Sequence, residues 1–289
     1  MIRDTYITLN KKRSIIALIA ACITFVMTFS SVVMGLVNDP NLGLRLFYYF
    51  TVISNILAAI GACLIIPFAV EGIRKMRFTI PRWVFILEFI GTAGVTVTFL
   101  FTVLISLPVE GVSVISGIYF WLHIICPIAA MVLFYSTESF FVLKMKDALI
   151  TMTPFVMYFI VYLTMVFILK GRYGHWRDIY RLGEYVPFWV SAPVLFMFAF
   201  GVAYLHSFLN NKMVKKREKR MISQLGDIAN LSDVELCVEA FGLGNFMASN
   251  GNGSEVIIPM DLISILSANK EDGLKERMVQ SFIKGYLNN

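Results

Sequence analysis

The residues able to do chemistry in this sequence are few, and most of them sit inside apolar runs. Thr51 lies in the run Leu46–Val70 and His123 in the run Ile115–Tyr135. A hydroxyl beside an imidazole is the minimum for covalent acyl transfer: the imidazole takes the hydroxyl proton while the oxygen attacks a carbonyl carbon. Thr51 lies about five residues below one end of its run, and His123 about eight residues, or about 12 Å of helix rise, below the same end. Their depths are therefore similar. Asn55, one turn inward of Thr51, and Ser54 are the candidate donors to an oxyanion. No carboxylate shares that depth, so the group that orients His123 is expected to be Tyr119 or Tyr162, or Asp178 folding in from a loop. Pro127 follows His123 by four residues and has no N–H, which predicts that the His123 carbonyl lacks its helical partner. Ser116, Tyr119, His123 and Pro127 share one helical face at spacings of three and four. Alone, such a threonine ordinarily bonds back to its own backbone, and such a histidine to a neighbouring helix. The pairing is what points to chemistry.

Two other ionisable groups occupy apolar runs. Glu88 is expected to pair with Arg82 at the near end of its run, and His206 to pack at an interface. Glu88, Glu138, His123 and the threonines Thr92, Thr96, Thr98 and Thr102 together suggest a second reading, transport along a polar route or lipid binding without chemistry. No inverted repeat supports it. Arg45, Arg172, Arg177 and Arg181 are candidates for contact with a carboxylate or phosphate headgroup, or simply interfacial anchors. The four cysteines and three histidines are dispersed, with no Cys-x-x-Cys spacing, so neither a metal site nor a disulfide framework is predicted. No glycine fingerprint for a nucleotide is present, and no cofactor is expected.

The elements that must carry these residues follow from composition. With 58% hydrophobic and 15% charged residues and a mean hydropathy of +0.74, the chain lies outside the range of soluble domains. Charge is segregated into short basic clusters between long apolar runs, which argues against a nucleic-acid surface and for membrane orientation. Six runs are long enough to span: Ser14–Leu36, Leu46–Val70, Trp83–Leu107, Ile115–Tyr135, Ala148–Leu169 and Phe188–Leu209. The first is too long for a signal-peptide core and reads as a retained span. If the spans alternate, sixteen Lys and Arg fall on one side and five on the other, which predicts both termini inside the cell. The expected fold is an all-α, six-span bundle over residues 1–210 with a small α-rich cytoplasmic tail over 211–289.

In span two, Thr51, Asn55, Ala58 and Ala62, with Ser54 beside them, form a small polar face for helix partners. Phe50, Ile53, Leu57, Ile60 and Leu64 are expected to face lipid. The basic stretch Lys212–Arg220 suits anionic headgroups. Beyond it, Ser232 to Glu235 reads as a capping box for a helix that Gly242 would end. Asn250–Gly253 reads as a turn, Glu255–Ile258 as a short strand, and Gly273–Leu287 as an amphipathic helix. No chemistry is read in this tail; it is expected to pack on the membrane domain or on a cytoplasmic partner, and a third reading makes the chain a membrane anchor whose working part is the tail.

Tyr49-Phe50-Thr51-Val52-Ile53-Ser54-Asn55 in span two, with His123 and Pro127 in span four, resembles the androgen-induced protein family and its prokaryotic six-span relatives. The resemblance covers roughly residues 1–210. Animal members are integral membrane threonine hydrolases acting on fatty acid esters of hydroxy fatty acids. The resemblance implies Thr51 as nucleophile, His123 as base and a membrane lipid as substrate or ligand. Between spans five and six the family often carries a Gly, Trp and Tyr-Pro segment, where this chain has Gly174-His175-Trp176 and Tyr185-Val186-Pro187-Phe188.

Overall fold

The computed structural model describes residues 2–38, 43–74, 80–137, 141–169, 176, 178, 180, 187–224, 232–249, 263, 267 and 273–287. Among these residues there is helix and no strand. Six helices are long and apolar enough to cross a membrane: Lys11–Val37, Phe50–Arg74, Arg82–Ile115, Ile118–Ser136, Met145–Ile168 and Phe188–Lys216. Helix is the outcome that physics allows here, because a lipid-immersed backbone must satisfy its own N–H and C=O groups.

The bounds follow the apolar runs, with instructive departures. The third span continues beyond Leu107, through a wider turn at Thr102–Ser106, to Glu110. A short 3-10 turn, Gly111–Ile115, then reverses the chain, with Gly111 and Gly117 at φ of 75° and 56°. Only glycine adopts such angles without strain. Ser116 therefore lies in this reversal, and the helical face expected to carry it begins only at Ile118. Further π-type turns occur at Trp121–Ile125 in span four and Thr164–Ile168 in span five. In an alternating bundle all three fall at one end, the end where span two begins with Phe50.

Residues 16–67 and 80–211 form one compact unit. Its interior is aromatic: Phe134 lies between Phe85 and Phe89 with ring centroids 5.4 Å from each, and Phe155 stacks on Phe159 at 5.5 Å. Spans two and three cross at close range, because a Cβ on Gly91 would meet the backbone of Ala58. Thr51, Ser54, Asn55, Ala58 and Ala62 are all buried, as the small-polar face of span two predicts. Phe50 departs from its expected lipid-facing place. It is buried against Phe155 and Tyr158, both at 5.2 Å. The outer surface carries Phe29, Leu104, Met157, Trp189 and Met197, each more than half exposed. Large apolar side chains on the outer surface, with the small and polar face of span two turned inward, is the distribution a lipid solvent selects.

The second unit comprises residues 1–15, 68–79 and 212–289. The last spanning helix runs unbroken from Phe188 to Gln224, so the basic stretch Lys212–Arg220 is helical. Ser232 caps the next helix: its N–H and hydroxyl each lie 2.7 Å from Glu235 Oε2, and these bonds hold the Glu235 carboxyl below its usual range. That helix spans Asp233–Ser249 and passes Gly242, where it was expected to stop. Packing supplies the reason. Gly244 faces Phe282 O, and Gly285 faces Phe241 O, each so closely that a Cβ would collide. The two glycines let Asp233–Ser249 and Leu274–Leu287 cross backbone to backbone. Arg277 joins Asp233 at 2.9 Å across the pair. The expected turn at Asn250–Gly253 and strand at Glu255–Ile258 lie outside the described residues.

Candidate functional site

Thr51 stands in the first turn of the Phe50–Arg74 helix, and that position decides what its hydroxyl can do. Thr24, Thr96, Thr98, Thr151 and Thr164 each donate to the carbonyl four residues earlier. For Thr51 that carbonyl belongs to Phe47, which lies in the preceding 3-10 segment Gly43–Tyr48 and outside the helical register. The Thr51 hydroxyl makes no hydrogen bond among the described residues, although the residue is only 8% exposed.

One turn inward, Asn55 ties span two to span four. Its Nδ2 donates to Thr51 O at 2.7 Å and to Leu122 O at 3.1 Å. The reason Leu122 offers a carbonyl lies in the wider turn at Trp121–Ile125. Cys126 N–H donates to Trp121 O, five residues back, and Pro127 has no N–H to give. Leu122 O is thereby left without a helical partner. The expectation placed this vacancy at His123; the wider turn moves it by one residue. Both hydrogens of the Asn55 amide are engaged, so Asn55 positions helices in this structure and its amide hydrogens are not aimed at an oxyanion. Ser54 is similarly occupied, with its hydroxyl 3.1 Å from Thr51 O and 3.2 Å from Thr98 Oγ1.

His123 is half-buried. Its Nδ1 lies 2.7 Å from Val114 O, and a carbonyl can only accept, so Nδ1 carries the hydrogen. The ring is then the tautomer with a bare Nε2, which has no partner among the described residues. The group that fixes His123 is thus a backbone carbonyl in the reversal between spans three and four. Tyr119 stacks on the ring at 5.8 Å but does not hydrogen-bond to it. Tyr162 donates instead to Asp178 Oδ1 at 2.6 Å. No hydrogen bond joins Thr51 to His123.

Around this junction Trp176 and Tyr180, from between spans five and six, pack against the bundle. Trp176 stacks on Tyr48 at 4.3 Å, and the Tyr180 hydroxyl accepts from Phe50 N–H at 2.9 Å, satisfying one of the orphan donors at the start of span two. Tyr158 donates to Tyr48 O at 2.7 Å. Burial pushes the Tyr180 phenol up to about 12, so it remains a neutral hydrogen-bonding group at any physiological pH. Arg45 is exposed in the 3-10 segment Gly43–Tyr48. Arg172, Arg177, Arg181, Glu138, Gly174, His175, Tyr185 and Val186 lie outside the described residues.

A second polar cluster corrects two expectations. Arg82 does not reach Glu88; it pairs with Asp147 at 2.8 Å, and Asp147 also accepts from Lys144 N–H at 2.7 Å to cap the fifth span. His206 is buried and doubly bonded, with Nε2 3.0 Å from Thr96 Oγ1 and Nδ1 2.7 Å from Tyr135 OH. It is an interior link between spans three, four and six, not an interfacial residue. Sequence reasoning missed Val114 and Leu122 because a free carbonyl carries no side-chain signature. It missed Tyr158, although its four-residue spacing from Tyr162 marks a shared face. Among the described residues no group of His, Cys, Asp and Glu could hold a metal ion. The chain matches no protein-family model, no curated protein and no solved structure.

Proposed function

We propose that this protein is an integral membrane hydrolase of lipid esters, with Thr51 as nucleophile and His123 as general base. One observation carries the reading: the Thr51 hydroxyl and the His123 Nε2 are both uncommitted, while Asn55 and Leu122, one turn and one residue away from them, tie their helices together. The hydroxyls of Ser54, Thr96 and Thr98, by contrast, are spent on backbone or side-chain partners. The resemblance of the Tyr49–Asn55 segment and the His123–Pro127 segment to the androgen-induced protein family points the same way.

The chemistry is acyl transfer. Thr51 Oγ adds to the ester carbonyl carbon as its proton passes to His123 Nε2. Collapse of the tetrahedral oxyanion breaks the ester C–O bond, and the imidazolium protonates the departing alcohol. A water then gives a proton to Nε2 and its oxygen to the acyl carbon, releasing the fatty acid and returning the proton to Thr51 Oγ. The Val114 carbonyl holds the tautomer this requires and stabilises the imidazolium as it forms, the part an acid plays in a triad. The substrate is a membrane lipid ester entering sideways between spans, with Arg45 and the arginines at 172, 177 and 181 available to its headgroup or free carboxylate. The excess of Lys and Arg at the opposite end supports cytoplasmic termini and a reacting pair in the outer leaflet. The tail is then free to engage a cytoplasmic partner.

The test is hydrolysis of fatty acid esters of hydroxy fatty acids by purified protein in mixed micelles. Wild type should release fatty acid, and Thr51→Ala and His123→Ala should not. A folded wild type inert toward lipid esters would replace this reading with lipid binding or transport without chemistry.

A further inference from the structure

Glu88 is fully buried, with no solvent exposure, in the middle of a crossing made of small residues. Its Oε1 lies 3.2 Å from Thr92 Oγ1, which in turn lies 3.4 Å from Ala130 O on the fourth span. Its Oε2 has no partner and abuts Gly61 on the second span, so closely that a Cβ there would collide with it. Among the described residues no cation balances it. Arg82 is held by Asp147, and His206 is occupied by Thr96, two turns further along span three, and by Tyr135 of span four. Spans two and four bring Ala58, Gly61 and Ala130 to this place, none of which titrates.

We propose that Glu88 is a proton-binding site, a neutral carboxylic acid lodged between spans two, three and four, separate from the Thr51 and His123 junction. Gly61 is ten residues from Thr51 along span two, about 15 Å of helix rise. Hydrogen-bond accounting supports the acid. The Thr92 hydroxyl has one hydrogen and two acceptors beside it. With Glu88 as a carboxylate, either Glu88 or Ala130 O must go without it, and a bare charge is left in a dry crossing. With Glu88 as an acid, Oε1–H donates to Thr92 Oγ1 and Thr92 donates to Ala130 O. Every hydrogen then has an acceptor, and Oε2 is left as the weakly basic carbonyl oxygen of the acid. A buried acid of this kind in a membrane span is the usual carrier of a proton in coupled movement. Because Glu88 has no solvent exposure and is enclosed by spans two, three and four, loss of the proton requires that crossing to open. Proton occupancy is thereby linked to the closure of that crossing.

The experiment is isotope-edited infrared spectroscopy of the full-length protein in phosphatidylcholine vesicles at neutral pH, with carboxyl-labelled glutamate. The expected result is an isotope-shifted carbonyl band of a protonated carboxyl in wild type and in Thr51→Ala, and its loss in Glu88→Gln. If Glu88→Gln does not fold, the assignment passes to wild type treated with N,N′-dicyclohexylcarbodiimide, a hydrophobic reagent for protonated carboxyls, with the adduct mapped to the peptide containing Glu88. A wild-type spectrum with no protonated glutamate band overturns the proposal. Persistence of the band in Thr51→Ala keeps this result independent of the hydrolase reading.

Discussion

The two polar clusters inside the bundle differ in what they leave open. At the junction of spans two and four, Asn55 and Ser54 spend their hydrogens on backbone and helix neighbours, while a hydroxyl and an imidazole nitrogen remain unengaged. In the Glu88, Thr92, Thr96 and His206 cluster the reverse holds: hydroxyls and imidazole are fully committed, and only one carboxyl oxygen is unpaired. The first arrangement suits nucleophilic attack, which needs lone pairs that structure has not consumed. The second suits storage of a proton, which needs an acid without a counter-ion. Both sit in helices of the same composition, so the difference comes from position within the helix. Thr51, in a first turn, lacks the helical carbonyl four residues back that Thr96 uses; Thr92 is taken up instead by Glu88 and by Ala130 O on span four.

Substitutions that exchange these properties should have graded effects. The largest belongs to Thr51→Ala, expected to lower esterase activity by on the order of 10³-fold or more while leaving thermal stability near that of wild type. His123→Ala should match it, and Thr51→Ser should retain measurable turnover. Stability rather than activity responds at the crossing of spans two and three. Gly91→Ala drives a methyl into the Ala58 backbone and should cost about 1–3 kcal/mol, read as a lowered midpoint of unfolding in detergent. Removing the tie itself separates the two clusters more finely. Asn55→Ala strands the Leu122 carbonyl and should cost about 1–2 kcal/mol, with a drop in activity that exceeds the drop in folded fraction.

Tyr180 offers the smallest effect and a pH signature. Its phenol is raised from 10.0 to about 12 in the folded protein, so the unfolded chain loses the proton first as pH climbs. The stability it contributes is complete below pH 10 and is lost as pH rises toward 12. Tyr180→Phe should forfeit about 0.5–1.5 kcal/mol at neutral pH and flatten the decline of the unfolding midpoint over that alkaline window. An equal decline in both proteins would remove Tyr180 from the set of groups holding the start of span two.

Much of the fold was legible because composition alone decides where a membrane helix can lie. The span from Phe188 and the tail helix near 274–287 begin within a residue or so of where hydropathy and periodicity place them. The buried face of span two was equally readable from Thr51, Asn55, Ala58 and Ala62. What was not legible depends on partners distant in sequence. Phe50 is apolar and could face lipid or core; Phe155 and Tyr158 decide for the core. Gly242 has the chemistry of a helix stop, but Gly244 and Gly285 reward continuation. Arg82 stands six residues from Glu88 and yet meets Asp147, because helix geometry sends the two side chains to different faces. The candidate pair was visible as residue types at matching depth, whereas the carbonyls of Leu122 and Val114 that arrange it were not visible at all.

The most direct measurement is the site of covalent capture. Purified wild-type protein treated with a fluorophosphonate should gain one adduct, placed by peptide mass spectrometry on Thr51, and His123→Ala should abolish it. Folded, lipid-reconstituted protein that gains no adduct, or gains one on a serine elsewhere with Thr51 unmodified, would contradict a threonine nucleophile at the junction of spans two and four.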